Sequence, residues 1–200
     1  MAGQRVPYVI AVEGEAVRHD RLRFAHHPEA GGLRLTYPDP DPRDWDLGVL
    51  RARQGARTGR PNYRRMHVWR QWRCMLHQRC QNCGGSAVDP ATGRIWWLLA
   101  NESGDDASEG WASAPPICRP CIPAAIALCP HLRRYAALYS VGGSEPFAVL
   151  AHLFRPGLAG RAIVTEEKVM VGLDEFSRLE RALALELRVR LWDAQRAPIP

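Results

Sequence analysis

Two cysteine pairs constrain the folding of this 200-residue chain more than any other feature of its sequence. Cys80 and Cys83 form one C-x-x-C unit, Cys118 and Cys121 form the other, and 34 residues separate the two units. A two-residue gap lets both sulfurs of a pair reach one ion at about 2.3 Å, and two pairs complete a tetrahedron. The spacing therefore predicts a structural zinc site that leaves no open position for a water or a substrate.

The residues around the two pairs predict a zinc module of the treble-clef type. Gly84 and Gly85 follow the first pair and suit a tight turn that brings backbone N–H groups to the sulfurs. Residues 86–99 have the turn chemistry and the apolar second strand of a β-hairpin. Prolines around the second pair and the apolar run at 122–128 predict a short helix whose first turn supplies the last two ligands. A zinc ribbon is the alternative arrangement.

Disulfides or buried free thiols are the alternative interpretation of the four cysteines. The apolar run at residues 6–12 is short and lacks a cleavage site, so the sequence predicts a cytoplasmic protein, in which disulfides are rare. No apolar run approaches the roughly 20 residues needed to span a bilayer, so no membrane partner is expected. The proline and glycine content indicates many loops and small cores, which a zinc ion would stabilise.

A basic stretch precedes the first cysteine pair. The net charge is +6, but 26 of the 27 basic residues are arginine, as a G+C-rich genome favours, so the total charge says little about partners. The distribution says more, because residues 47–88 contain nine arginines and no acid. One hypothesis is therefore that an Arg-rich arm and helix bind DNA or RNA through phosphate contacts. The candidate contact residues are Arg51, Arg53, Arg57, Arg60, Arg64, Arg65, Arg70 and Arg73.

Structural interpretations compete with that hypothesis. The helical pattern at 63–77 could pack its tryptophans in the core and turn its guanidinium groups to water. Arg79, Arg94 and Arg119 lie beside the ligands or the hairpin, where they would offset the −2 charge of a zinc tetrathiolate. The acidic loop at 101–110 could also fold back on the basic stretch and neutralise it.

Composition and pattern predict an α+β protein in four parts. The parts are an N-terminal β segment with an acidic, proline-rich linker (1–46), the Arg-rich arm and helix (47–79), the zinc module (80–134), and strands followed by an amphipathic helix (135–200). In the linker, residues 37–46 alternate proline with aspartate, and their carboxylates are expected to stay in water.

The amphipathic helix is predicted from Asp174, which suits an N-cap, to about Trp192. Its apolar stripe consists of Phe176, Leu179, Leu183, Leu187 and Leu191. Such a stripe usually packs on a sheet. Together with the apolar hairpin it also supports a second hypothesis, in which the chain is a protein-interaction or assembly component.

Other chemical sites have less support in the sequence. Cys74, His77, Cys129 and His131 could form a second zinc site, although one intervening residue between Cys129 and His131 is an awkward spacing for one ion. A nuclease of the His-Asn-His type needs polar catalytic residues on the hairpin and helix, where this chain is apolar and offers only His131. Without a Gly-rich phosphate loop, a serine nucleophile elbow or paired carboxylates, the sequence favours a non-enzymatic protein. An enzyme with an unrecognised site is the third hypothesis.

Several of these motifs resemble a family of small, uncharacterised actinobacterial proteins. The resemblance rests on Arg73-Cys-Met-Leu-His-Gln-Arg-Cys-Gln-Asn-Cys-Gly-Gly85, on Ile95-Trp-Trp-Leu-Leu99, on Pro115-Pro-Ile-Cys-Arg-Pro-Cys121 and on Cys129-Pro-His131-Leu132. It covers roughly residues 60–192 and implies the zinc motif, the strands and the final helix, but no activity. The first 50 or so residues depart from the family and are expected to be an added module.

Overall fold

The structure, a computed structural model, describes residues 6–19, 21–27, 32–100 and 110–200. The strands are β1 (Ile10–Val12), β2 (Val17–Arg18), β3 (Arg23–His27), β4 (Gly32–Thr36), β5 (Trp45–Asp46), β6 (Val49–Arg51), β7 (Arg53–Gln54), β8 (Pro61–Met66), β9 (Ile95–Ala100), β10 (Trp111–Ala112), β11 (Ala136–Val141), β12 (Gly143–Pro156), β13 (Ala162–Gly172), β14 (Ala182–Trp192) and β15 (Gln195–Ala197). The α-helices are α1 (Val68–Leu76), α2 (Ile122–Leu128), α3 (Pro130–Tyr135) and α4 (Phe176–Leu179), and 3₁₀ helices span Pro42–Asp44, Arg119–Cys121 and Leu158–Gly160. The predicted α+β class is confirmed, and strands predominate. The predicted acidic loop at 101–110 lies, except for Gly110, outside the described residues.

The chain forms two compact units, and each is built from separate segments. The first unit comprises Met1–Ala11, Pro61–Pro146 and Arg188–Pro200. The second comprises Val12–Arg60 and Phe147–Leu187. The four-part division by composition has different boundaries from these two units, and it stays a prediction.

The apolar strand of the predicted hairpin lies in the core of the first unit. β11 pairs antiparallel with β9 on one side and with β15 on the other. Ile95, Trp97 and Leu98 of β9 are buried, and the Trp97 indole N–H donates to the Ala114 carbonyl at 2.7 Å. Aromatic and branched side chains fit such a strand, so this half of the hairpin is confirmed. The expected partner strand at 86–89 contributes single bridges instead of a regular ladder.

Helix α1 turns the aromatic residues of the basic stretch inward. The His67 side chain caps the helix by accepting the Arg70 N–H at 3.4 Å. Trp72 and Met75 are buried, whereas Arg73 is exposed. This arrangement agrees with the interpretation in which the helix packs aromatic side chains in the core and turns guanidinium groups to water. The residues just before the helix form β8, which pairs with β1.

The second unit contains most of a sheet with the order β13-β12-β14-β6-β5. β12 and β13 pair antiparallel, whereas β14 and β6 run parallel with Leu183 opposite Leu50. Both of these leucines are fully buried. Two short antiparallel ladders, β2–β7 and β3–β4, complete the unit.

The predicted C-terminal helix is wrong. Residues 176–179 form the single turn α4, and the 11 residues Ala182–Trp192 form β14. Residues four apart share one face in a helix and also in a strand, so a stripe of leucines at that spacing fits both periods. The alternating set that fits only a strand is Leu183, Leu185, Leu187, Val189 and Leu191.

The prediction that the carboxylates of residues 37–46 stay in water is wrong for Asp44. The Asp44 side chain is 3% exposed and accepts two hydrogen bonds from the Arg53 guanidinium, at 2.8 and 2.6 Å. It also accepts the Asp41 backbone N–H at 2.9 Å. Because each lone pair that leaves water finds a charged or polar donor, the cost of burying this carboxylate is offset.

Tyr37 lies beneath Arg53 in the same cluster. The Arg53 guanidinium carbon is 4.3 Å from the centre of the Tyr37 ring, and the Tyr37 hydroxyl accepts the Arg53 backbone N–H at 2.8 Å. Burial is the main cause that raises the pKa of Tyr37 to about 12 from 10.0. Since the folded pKa exceeds the unfolded one, this group contributes stability that is complete below pH 10 and is lost as the pH rises towards 12.

We therefore expect alkali to destabilise the protein in that window, by up to about 2.7 kcal/mol from Tyr37. Urea unfolding at a series of pH values would measure the loss, and Tyr37→Phe should remove this share of it. Burial also raises the pKa of the Cys74 thiol to about 12, so the variant should keep part of the slope. An identical pH dependence in the wild type and the variant would contradict the assignment.

Candidate metal centre

The four predicted ligands come together in the first unit. The Sγ atoms of Cys80, Cys83, Cys118 and Cys121 all lie within 4.8 Å of one another. The Cys83 and Cys118 sulfurs are 3.7 Å apart. A tetrahedral zinc ion with bonds of about 2.3 Å places its sulfurs about 3.8 Å apart, so a small contraction would close this cluster around an ion. Across the described ranges, no other group of three or more His, Cys, Asp or Glu side chains is arranged to hold one.

Backbone N–H groups of the first pair point at sulfur. The N–H groups of Asn82 and Cys83 donate to Cys80 Sγ at 3.4 and 3.5 Å. Gly84 has a φ of +77°, and a Cβ on it would lie 3.2 Å from the Tyr8 ring. Glycine meets both the conformational and the steric requirement at this turn. Hydrogen bonds to sulfur favour the thiolate, which is the form that binds metal.

A chain of backbone hydrogen bonds fixes the first pair relative to the second. The Val9 N–H donates to the Gln81 carbonyl at 3.1 Å, and the Gln81 N–H donates to Pro116 at 2.8 Å. The Ile117 N–H in turn donates to the Trp96 carbonyl in β9 at 2.9 Å. Sequence reasoning missed these supports, because no local signal connects residues so far apart in the chain.

The second pair lies at the start of α2, as its prolines predict. Cys118 caps the 3₁₀ helix Arg119–Cys121, and the Cys121 N–H donates to the Cys118 carbonyl at 2.9 Å. Cys121 is then the N-cap of α2, and the fully buried Ile122 anchors the first turn of the helix. The N-terminal end of a helix favours negative charge, so a thiolate is stabilised there.

Burial and hydrogen bonding shift the pKa values of the thiols in the cluster. Desolvation is the main cause that raises the pKa of Cys118 and of Cys121. Desolvation acts in the same direction on Cys83, but hydrogen bonds from the Gly85 N–H and the neighbouring thiols outweigh it and lower the pKa of Cys83. A divalent ion must therefore displace protons when it binds, as thiolate-rich zinc sites require. The donor set of four thiols fits zinc.

Two of the three arginines expected to offset the charge of this centre lie beside it. Arg79 donates from Nη1 to the Gly84 carbonyl at 3.2 Å, inside the first turn. Arg119 follows Cys118 and stacks on Trp96, with its guanidinium carbon 5.5 Å from the ring centre. Arg94 instead forms an ion pair with Asp193 at 2.5 Å.

The hypothetical second zinc site does not form among the described residues. Cys74 is buried, and its Sγ lies 3.8 Å from the Cys80 carbonyl oxygen. Burial raises its pKa, so this side chain stays a thiol at neutral pH. His131 lies edge-on to Tyr135, with 5.5 Å between the ring centres. Cys74 is thus a core residue, and the other three predicted members do not join it.

The eight predicted nucleic-acid contacts differ in their environments. Arg51 is only 9% exposed and forms an ion pair with Asp46, and Arg53 is bound by Asp44, so both guanidinium groups have partners within the fold. Arg70 is half-buried and donates to the Ile10 carbonyl at 3.2 Å. The exposed members are Arg57 and Arg60 in the second unit and Arg64, Arg65 and Arg73 in the first.

Two further observations concern membrane-spanning helices and similarity to known proteins, and neither assigns a family. In the portion of the chain that the structure describes, no helix has the length and apolar character to cross a bilayer. Comparison of the chain with protein-family models, curated proteins and solved structures finds no match. The resemblance to small actinobacterial proteins therefore stays a prediction, and the function has to be inferred from the geometry of the chain itself.

Proposed function

We propose that this chain is a non-enzymatic binding protein whose first unit is stabilised by a structural zinc ion at Cys80, Cys83, Cys118 and Cys121. The observation that supports this most strongly is that the four sulfurs lie within 4.8 Å of one another. Four thiolates saturate a tetrahedral ion, so the metal would stabilise the fold instead of activating a water. The order of a turn, an apolar strand and a helix that begins at the last ligand supports a treble-clef-like arrangement.

The test is the metal content of the freshly purified protein. Mass spectrometry of the bound metal should give one zinc per chain, and the protein should be colourless. Iron in the same tetrathiolate would absorb visible light, so a coloured protein would contradict the assignment of zinc while leaving a metal site in place. Protein that is folded, metal-free and carries four free cluster thiols would contradict the structural metal altogether.

The ligand that we propose is nucleic acid, DNA or RNA, bound through the exposed arginines. Tyr63, Arg64 and Arg65 are consecutive exposed residues of β8, and the Tyr63 side chain is 59% exposed. Guanidinium groups bind phosphate through paired N–H donors, and a neighbouring aromatic ring can stack on an unpaired base. This segment combines both features on one strand, which favours a single-stranded ligand.

We expect the double variant Arg64→Ala/Arg65→Ala to bind a single-stranded oligonucleotide about tenfold more weakly at low salt. Side chains alternate along a strand, so Arg65 shares a face of β8 with Tyr63 and Arg64 lies on the other face. Loss of the Arg65 contact should reduce the slope of log K against log salt by about 0.7, the contribution of one phosphate contact on a single strand. Fluorescence anisotropy over a salt series measures both quantities.

The matched control is Arg133→Ala/Arg134→Ala, which removes the same charge from two exposed positions of α3. This control should change the affinity much less than the β8 variant does. An equal loss in both variants would show that net charge, not this strand, determines binding. Binding that does not depend on salt would contradict phosphate contacts.

A further inference from the structure

A cavity of about 320 Å³ in the second unit has an unusually basic wall. Three arginines, Arg18, Arg21 and Arg53, line it together with the neutral polar residues Tyr37 and Gln54. Asp39 is the acid on the same wall. The three arginines and one aspartate leave the described lining with a formal charge of +2, which makes this wall attractive to an anion.

Two of these arginines face each other across a β ladder. Arg18 in β2 lies directly opposite Arg53 in the antiparallel strand β7. Like charges in directly opposite positions destabilise a sheet pair, so the arrangement needs a compensating negative charge. Arg53 has its own, because it binds Asp39 and the buried Asp44 at 2.9 and 2.6 Å. Neither Arg18 nor Arg21 has an ion-pair partner among the residues described.

We propose that this cavity binds the phosphate monoester group of a small molecule, with Arg18 and Arg21 as the contacting residues. A guanidinium presents two parallel N–H donors that match phosphate oxygens, and a phosphate dianion would match the two positive charges of Arg18 and Arg21. An anion held by Arg18 and Arg21 also supplies a negative charge to the two arginines of the wall that have no ion-pair partner among the residues described. The volume is at the lower end of small-ligand sites, which span about 300–1,000 Å³, so a phosphate with a small organic group fits.

Arg53 acts here as a positioning residue. Asp44 is 3% exposed and fixes the Arg53 guanidinium through two hydrogen bonds, while the Tyr37 ring supports the guanidinium from below. The wall opposite Arg18 is therefore rigid before any ligand arrives, which reduces the entropic cost of binding. This inference is independent of the metal centre and of the exposed arginines of β8, since it uses neither.

Calorimetric titration with glycerol 3-phosphate, and with glycerol as the phosphate-free analogue, tests the proposal at constant ionic strength. The phosphate should bind and glycerol should not. Arg18→Gln/Arg21→Gln should weaken the affinity at least tenfold, whereas Arg133→Gln/Arg134→Gln, which removes equal charge from exposed positions of α3, should leave it within twofold.

The proposal would be overturned if the two double variants bound glycerol 3-phosphate with equal affinity. It would also be overturned if chloride and sulfate bound as tightly as glycerol 3-phosphate does. A 5′-phosphorylated trinucleotide separates two sources of the same group. If it binds and glycerol 3-phosphate does not, the site belongs to a nucleic-acid end and the small-molecule assignment is wrong. Should the double variant fail to fold by circular dichroism, Arg21→Gln alone carries the test, since Arg21 is exposed in a turn, and it should weaken binding several-fold.

Discussion

Cys80→Ser should unfold the first unit. Cys80 is fully buried, and its sulfur accepts two backbone N–H groups of the metal-binding turn. Structural zinc contributes about 10–16 kcal/mol of binding free energy in small zinc domains, whereas a whole domain is stable by about 5–15 kcal/mol. The two quantities are of the same size, so a protein that loses one of four ligands, and with it a large part of the metal-binding free energy, should lose most of the stability of this unit. Bound zinc, near-ultraviolet circular dichroism of the buried tryptophans and amide exchange of β9 would report the loss.

Cys129→Ser provides the matched control. Cys129 is half-buried at the end of α2 and lies outside the four-sulfur cluster. It should retain one zinc and change the free energy of unfolding by about 1 kcal/mol or less. A folded Cys80→Ser protein with a native tryptophan signal and no metal would show that the ion is dispensable.

Trp97→Ala should lower the free energy of unfolding by about 4 kcal/mol, in the range measured for large aromatic side chains removed from cores. The side chain has no exposed surface and donates a hydrogen bond to the Ala114 carbonyl. Its strand is also connected to the metal centre through the hydrogen bond from Ile117 to Trp96. Urea unfolding of the zinc-loaded protein would measure the change.

The same variant tests the assembly hypothesis, which relied on an accessible apolar hairpin and a C-terminal helix. The hairpin strand is buried within its own unit, and the helix is replaced by β14. Phe176→Ala is the control, because Phe176 is 73% exposed and its loss should change stability by no more than about 0.5 kcal/mol. A Trp97→Ala protein of normal stability that has lost self-association would support an interaction surface instead of a core.

The metal centre was predictable because its information is local. Each C-x-x-C pair specifies its own geometry through a two-residue gap, and glycine or proline next to the pair specifies the turn or the helix that carries it. Only the meeting of the two pairs is non-local, and the chemistry of four soft ligands favours that outcome. The sequence therefore predicted the clustering of the four cysteines and the position of α2 correctly, but not the contacts of Val9 and Pro116 that support them.

The errors share a different cause. Spacing of four residues does not distinguish a helix from a strand, and the alternation of Leu183, Leu185 and Leu187 was the better indicator of β14. Asp44 was expected to be solvated because it lies in a proline-rich, acidic segment, yet its partner Arg53 lies nine residues further along the chain. The charge of a segment also does not reveal which of its members are paired in the fold, as Arg51 and Arg53 are.

The order in which the segments are synthesised on the ribosome affects how the protein folds and binds its proposed metal ion. All four sulfurs have been synthesised by residue 121, but β15, which flanks β11 in the same unit, follows only after residues 147–187 of the other unit. The nascent chain would thus bind the proposed metal ion before β15, the outer strand of its sheet, has been synthesised. Early capture of the ion would keep the unfinished half assembled during that interval, so a shortage of zinc should reduce the yield of native protein during translation more than it affects molecules that are already complete.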